Sequence, residues 1–174
     1  MTKYIEQTNT KENILYDNIV LLSRNKLFYT TFDLTDTFQN RIHLIFMHIS
    51  FLFIKANRNI AKEKNNNFYQ RIFDLLFKRI ELNMREIGYG DVLVNKNMKL
   101  LVKSFYNILL YCENYKAKTL ESKNTFFTKY LQLNDKQKVA NNKPLIEYFN
   151  KFQAFCIDLS SDRVLKGELN FNYN

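Results

Sequence analysis

Apolar positions recur along most of this chain at spacings of three and four residues, which is the periodicity of amphipathic α-helices. The first such stretch covers residues 11–24. After the aromatic cluster Leu27-Phe28-Tyr29, Thr35 or Asp36 is a suitable N-cap for a helix that reaches about Asn57. From Ile42 to Ile54 this helix is apolar on nearly every side, which predicts a position at the centre of a bundle.

The second half of the chain continues the helical pattern. A polar connection at Lys62–Asn67 is expected to lead into a helix at Phe68–Ile87, which carries one charged stripe. Gly88 should end that helix, because glycine adopts the left-handed conformation of a C-terminal cap, and Gly90 should permit a second tight turn. The later helices are predicted to start at Asn95 or Asn97 and end near Lys116, to cover Ser122–Leu131, and to run from Pro144 to Leu159, with a polar loop at residues 134–143 before the last.

Together these stretches predict an all-α protein: a single-domain, irregular bundle of about six to seven helices around a central apolar helix. The domain is expected to cover residues 1–174, with flexible tails at 1–10 and 163–174. Three Gly and one Pro among 174 residues are too few for the frequent turns of a sandwich or barrel. An all-β fold is therefore excluded.

The net charge of +9 is concentrated in the second half of the chain. From Val92 to Lys151 there are 11 basic and 4 acidic residues, a difference of +7. Such a surface suits an acidic partner, either RNA, an anionic lipid surface or an acidic protein, and Lys96, Lys99 and Lys103 mark the candidate basic face. The alternative is that Lys and Asn are abundant through AT-rich coding alone. No DNA partner is expected.

The side chains that could support catalysis are few. The two histidines, His43 and His48, are five residues apart and point about 140° away from each other on one helix, so they cannot share a metal ion. The two cysteines have no disulfide or zinc spacing, and no nucleotide-binding or hydrolase motif is present. The sequence therefore predicts no enzyme activity, no metal and no cofactor. An enzyme would need a pocket in which His43, His48 or Glu86 converge.

Neither a membrane span nor a targeting segment is expected. The longest apolar stretch, Ile42–Ile54, extends only about 20 Å as a helix, against a hydrocarbon core of about 30 Å. The 16 Phe and 11 Tyr residues exceed what a small core needs. An uncovered part of them would form an apolar groove of the kind that captures hydrophobic segments or partner helices.

Two blocks of the sequence resemble the ubiquinol–cytochrome c chaperone family. The first block is Leu27-Phe28-Tyr29 with Asp36-Thr37, Arg41 and His48. The second, more distinctive block runs from Asn83 through Met84-Arg85-Glu86-Ile87-Gly88-Tyr89-Gly90-Asp91 to Lys96-Asn97-Met98 and Phe105-Tyr106. The similarity covers roughly residues 13–112. Asn40 and Asn107 stand where the family has glycine, and the C-terminal third is hard to match.

The resemblance implies an assembly chaperone for ubiquinol–cytochrome c reductase that binds newly made cytochrome b or an early assembly intermediate. It also implies a small partner protein and contact with the ribosome. The chain resembles a bacterial member in the cytoplasm, peripheral to the inner membrane, or in the mitochondrial matrix if it is eukaryotic. The rival hypothesis is a basic RNA- or ribosome-binding module without a client.

The resemblance also gives candidate site residues. Phe28, Tyr29, Phe105 and Tyr106 are candidates for a client groove, and Asp36 and His48 belong to the first motif. Arg41, Arg85, Glu86 and Asp91 are candidates for an ordered polar cluster beside the turn at Gly88 and Gly90. Their alternative role is purely structural.

Overall fold

The computed structural model describes residues 10–57, 62–134 and 142–173. Its helices are α1 (Lys11–Ser23), α2 (Leu27–Thr30), α3 (Phe38–Asn57), α4 (Lys62–Glu86), α5 (Asp91–Glu113), α6 (Leu120–Tyr130), α7 (Lys143–Asp158) and α8 (Ser161–Leu165). A short 3-10 turn at Tyr115–Ala117 joins α5 to α6. Six of these helices have 11 residues or more, which confirms the predicted all-α bundle.

Helix α3 is the central element. Every residue from Ile42 to Leu52 is buried, and α3 packs against α1, α4, α5 and α7. This confirms the prediction that an all-round apolar helix lies at the centre, since each of its sides needs a neighbour to exclude water. Its first turn is capped by Thr37, whose hydroxyl oxygen accepts a hydrogen bond of 3.1 Å from the amide of Asn40. The N-cap is therefore Thr37 and not the predicted Thr35 or Asp36.

Two predicted boundaries are wrong. Residues Lys62–Asn67 were expected to form a connection, but α4 begins at Lys62. This segment contains neither Gly nor Pro, the two residue types that oppose a helix most strongly. Helix α5 begins at Asp91, not at Asn95 or Asn97, and Val94 in its first turn is buried. By contrast, Pro144 lies in the first turn of α7, as predicted.

The C-terminal segment differs from the expected flexible tail. Val164 and Leu169 are buried, and the ring of Phe171 lies 5.1 Å from that of Phe152. Gly167 has φ +77° and is buried against α1, where a Cβ atom would come within 2.8 Å of Ile14. Apolar side chains spaced through residues 164–171 therefore fasten this segment to the core. Residues 1–9, most of the other expected tail, and residues 135–141 of the expected polar loop lie outside the described residues.

Candidate interaction surface

The turn between α4 and α5 is set by Gly88. This residue has φ +94°, its amide donates to the carbonyl of Arg85 (3.1 Å), and the next amide, of Tyr89, donates to the carbonyl of Met84 (3.0 Å). This is the Schellman arrangement that closes a helix. Gly90 has φ −72° and ψ 160°, an extended conformation, and precedes α5 as its N-cap, so the second tight turn expected at Gly90 is not formed. The distinctive motif is therefore, first of all, a corner between two long helices.

The four charged residues predicted to form one cluster occupy two places. Arg85 pairs with Asp91 and, at 2.9 Å, with Glu81 on the preceding turn of α4, while Glu86 is exposed nearby. Arg41 instead forms a bidentate pair with Asp36, at 2.6 and 2.7 Å.

These ion pairs hold the ends of helices. The hydrogen bond from Arg41 lowers the pKa of Asp36, and the carboxylates of Asp91 and Glu81 raise the pKa of Arg85. Because all these groups are largely exposed, each pair stabilises the fold only slightly. Their positions agree with the structural alternative.

The aromatic residues predicted to line a groove are mostly in the core. Phe28 and Phe105 have less than 2% of their surface exposed, so neither can touch a client in this conformation. Tyr29 is half-buried, and its hydroxyl donates to the carbonyl of Ser23. Tyr106 alone of the four is exposed, at 50%. The prediction of a groove formed by these four side chains is therefore not supported by their positions.

His48 is fully buried, and its hydrogen bonds define its protonation state. Nδ1 lies 2.6 Å from the carbonyl oxygen of Leu44, which can only accept, so Nδ1 carries the proton. Nε2, at 2.8 Å from the hydroxyl of Tyr148, then accepts. Burial lowers the pKa of His48 from 6.5 to about 4, which keeps the ring neutral. This histidine is a structural residue and not a surface that a client could reach.

His43 has the same arrangement. Its Nδ1 donates to the backbone carbonyl of Tyr130 at 2.6 Å, and its Nε2 accepts from the side-chain amide of Gln39 at 2.9 Å. Burial lowers the pKa of His43. With both histidines packed in the interior and Glu86 on the surface of α4, the three do not converge. The particular enzyme site that the sequence left open is not formed.

The cysteines are buried as well. Cys112 and Cys156 are free thiols whose pKa values burial raises, so neither has the character of a reactive thiolate. Among residues 10–57, 62–134 and 142–173, no group of three or more His, Cys, Asp or Glu side chains is placed to hold a metal ion.

The outward side of α5 has an unusual composition. At 100° per residue, an arc of about 120° contains four apolar or aromatic side chains that are at least half exposed, interspersed with lysines. We call it the lysine–apolar face; its members are Val92, Lys96, Lys99, Leu100, Lys103, Tyr106, Asn107 and Leu110. The opposite side of α5, with Val94, Leu101, Phe105, Ile108 and Cys112, is buried in the bundle. The face extends about 27 Å along the helix.

An open groove of about 690 Å³ adjoins this face, between α5 and α6. Its aromatic part is a stacked pair, Tyr111 and Phe126, with ring centroids 4.0 Å apart and planes 6° from parallel. The Tyr111 hydroxyl lies 3.0 Å from that of Ser122, which fixes the ring against α6. We call this cavity the α5–α6 groove. Its lining is completed by Asn107, Leu110, Thr119, Glu121, Ser122, Thr125, Lys129 and Tyr130.

Sequence reasoning missed this groove and the structural role of one buried polar residue. Asn40 is completely buried. Its side-chain NH2 group donates to the backbone carbonyls of Thr35 (2.7 Å) and Gln132 (2.8 Å), and its side-chain oxygen accepts from the backbone N–H of Gln132 (2.9 Å). These bonds join the start of α3 to the segment after α6, beside an isolated antiparallel bridge between Leu34 and Leu133. The departure from glycine at position 40 was the available signal, since only a side chain could make these contacts.

Fold and surface together define the class of this protein. It is an all-α bundle whose histidines and cysteines are packed in the interior. Among the described residues, α5 carries more of the exposed large apolar side chains than any other helix, while others, such as Leu21 on α1 and Ile87 in the turn after α4, lie elsewhere. In the described part of the chain, no helix is both long enough and apolar enough to cross a membrane.

The comparison with protein families identifies the family to which this bundle belongs. A family model described as ubiquinol-cytochrome C chaperone matches residues 30–171, and the chain belongs to this family. The match includes the C-terminal third, which the sequence motifs did not cover. The crystal structure of the Cbp3 homolog from Brucella abortus has the same fold: the TM-score is 0.77 at 24% identity, covering 94% of this chain and 89% of that one. No match was found among curated proteins.

Proposed function

We propose that this protein is a non-enzymatic assembly chaperone for ubiquinol–cytochrome c reductase, and that its client is newly made cytochrome b or an early assembly intermediate. The single observation that carries the proposal is family membership across residues 30–171. The place of action is the side of the membrane on which that client is made, either the bacterial cytoplasm or the mitochondrial matrix. A small partner protein and the ribosome remain predicted partners.

The α5–α6 groove is the proposed client contact. A client with transmembrane helices exposes apolar side chains until it is inserted and complexed, and it needs a surface that covers them reversibly. The groove offers the stacked rings of Tyr111 and Phe126 for that purpose. Its rim is polar, with Lys129 lying 5.2 Å from the ring centre of Tyr130. Its volume of about 690 Å³ is within the range of about 300–1,000 Å³ typical of binding clefts.

The test fills the groove without disturbing the core. Thr125 is exposed on α6, and its hydroxyl donates to the carbonyl of Glu121 at 3.0 Å. Thr125→Arg places a long charged side chain in the groove. The matched control is Thr30→Arg on α2, since Thr30 is also exposed and its hydroxyl also donates to a carbonyl four residues earlier, at 3.0 Å.

The measurement is difference spectroscopy of the b- and c-type haems of the reductase in a deletion strain that carries each gene. Deletion and Thr125→Arg should both lower the reductase haems, and Thr30→Arg should restore them to the wild-type level. Newly made cytochrome b should co-purify with the wild type and with Thr30→Arg but not with Thr125→Arg. Unchanged haem levels in the deletion strain would remove the assembly role, and full activity of Thr125→Arg would remove the groove.

A salt titration of the co-purified complex distinguishes this function from RNA or ribosome binding. Phosphate contacts made by lysines weaken by orders of magnitude from low to moderate salt, because binding releases counterions. Apolar capture in the groove persists over the same range. A complex that dissociates at moderate salt and after ribonuclease treatment would support the rival hypothesis of RNA or ribosome binding.

A further inference from the structure

The lysine–apolar face of α5 has no role in the groove proposed above, apart from the residues at their shared edge. Its exposed apolar side chains are few but large: Val92 is 86% exposed, Leu100 55% and Leu110 61%. From this face we infer a second interaction: α5 lies against the surface of an anionic lipid bilayer, with its lysines among the headgroup phosphates and its apolar side chains at the acyl boundary.

Charge is the first argument. Lys96, Lys99 and Lys103 follow at spacings of three and four, so all three ammonium groups leave the same side of the helix. The arc itself carries no acidic residue within the described helix. On α5 the acidic side chains are Asp91 and Glu113, which lie outside the arc, and Asp91 is paired with Arg85. A field of one sign on one helix face is complementary to a negatively charged surface.

Composition of the face separates a bilayer from other anionic partners. A nucleic-acid backbone would neutralise the lysines but leave Val92, Leu100 and Leu110 in water. A bare transmembrane segment would cover these three but would strip water from three lysines without offering a counter-charge. The interface of an anionic bilayer satisfies both, because lysine stems and tyrosine rings lie at headgroup depth while the ammonium and hydroxyl groups stay hydrated. Tyr106 occupies such a position on the flank of the arc.

This docking would set the orientation of the chaperone. Leu110 and Asn107 belong both to the face and to the lining of the α5–α6 groove. A protein held by α5 therefore presents its groove beside the membrane, where a membrane-embedded client emerges. The inference goes beyond the proposed function and does not depend on it, since lipid binding is measured without any client.

The first experiment is vesicle co-sedimentation of the full chain. The vesicles contain phosphatidylcholine mixed with phosphatidylglycerol, or phosphatidylcholine alone. The wild type should bind the mixed vesicles and not the neutral ones. The combined change Lys96→Gln, Lys99→Gln and Lys103→Gln should weaken binding on the order of 100-fold, because each lysine near an anionic surface contributes about a factor of five.

The control variant has the same net charge but leaves α5 intact. Lys11, Lys26 and Lys166 are exposed and lie on or beside α1, α2 and α8, and changing all three to Gln should alter binding by less than about threefold. Equal losses in the two triple variants would show a general charge effect and overturn the inference. Absence of wild-type binding to the mixed vesicles would overturn it as well.

A second measurement reports the orientation directly. The sequence contains no Trp, so Tyr106→Trp introduces a single fluorescent reporter on the face. Its emission should shift to the blue with the mixed vesicles and stay unchanged with phosphatidylcholine alone. Leu21→Trp, on the exposed side of α1, is the matched control and should not shift with either. A shift at position 21 as large as that at 106, or none at 106, would contradict docking through α5.

Discussion

Lowering the pH should destabilise this protein through the buried imidazole of His48. In the neutral ring both nitrogens are satisfied, since Nδ1 donates to the carbonyl of Leu44 and Nε2 accepts from the hydroxyl of Tyr148. A proton added to Nε2 would turn that acceptor into a donor and leave the Tyr148 hydroxyl to find another acceptor. It would also place a charge among the rings of Phe28, Phe149 and Phe152.

The size of the effect follows from the pKa of His48. Burial lowers it from 6.5 to about 4, so the unfolded chain takes up the proton first as the pH falls. The stability that comes from keeping the ring neutral is complete above about pH 6.5 and is lost as the pH falls towards about 4. A difference of about 2.5 pKa units corresponds to about 3 kcal/mol, of which about 2 kcal/mol is lost by pH 5. His43, whose pKa is also lowered, adds in the same direction.

Urea unfolding followed by far-UV circular dichroism measures this dependence between about pH 5 and pH 8. The comparison is with His48→Phe, which keeps an aromatic ring in the same aromatic surroundings. At about pH 8 the variant should be less stable, because the Tyr148 hydroxyl loses its acceptor. Its free energy of unfolding should depend less on pH, so that the two curves approach each other at low pH. His43→Gln should retain the part of this pH dependence that is due to His48. Parallel curves for wild type and His48→Phe would refute the reasoning.

Three further predictions concern other buried groups and one turn. Asn40→Ala should lower the free energy of unfolding by about 1–3 kcal/mol in urea. It leaves the backbone amide of Gln132 without its acceptor and removes one of the two hydrogen bonds that each of the carbonyls of Thr35 and Gln132 accepts. A Cβ atom added at Gly88 would meet no neighbouring atom, so Gly88→Ala should lower the melting temperature through backbone strain alone, about 1–2 kcal/mol. Gly88→Asn should cost less, because asparagine tolerates positive φ. Cys112 and Cys156 should resist iodoacetamide in the native protein and react after denaturation, as mass spectrometry would show; native labelling would contradict their burial.

The fold was largely predictable because hydrophobic periodicity reports which sides of a helix are covered. The all-round apolar run of α3 indicated its central place, and the left-handed glycine at position 88 indicated the end of α4. The helix start at Lys62 was not predictable in the same way, since a polar first turn resembles a loop in sequence. The start at Asp91 was missed because Asn95 and Asn97, which follow Val92-Leu93-Val94, are of a type common at N-caps. The C-terminal segment was misread because its few apolar residues have no helical period, although they fill the space beside α7.

The candidate site was harder to predict, and α5 shows the reason. This helix has apolar residues on both sides, Val94 and Phe105 inward and Val92 and Leu110 outward. Spacing along the sequence groups them but does not reveal which side the bundle covers. Phe105 and Tyr106 are adjacent in the motif, yet one is in the core and the other is half exposed. The α5–α6 groove depends on how two helices approach, a property of packing that no single stretch of sequence contains.

The contact between the two ends of the described chain affects when this protein can finish folding during its own synthesis. Buried Gly167 lies against Ile14, and its carbonyl accepts a hydrogen bond of 2.7 Å from the side chain of Asn18 on α1. The ribosome makes Gly167 149 residues after Asn18, so α1 waits for this neighbour while all the helices between them are synthesised. The fold is therefore complete only after residue 167 has emerged, and a chain that stalls before it leaves the docking site on α1 open.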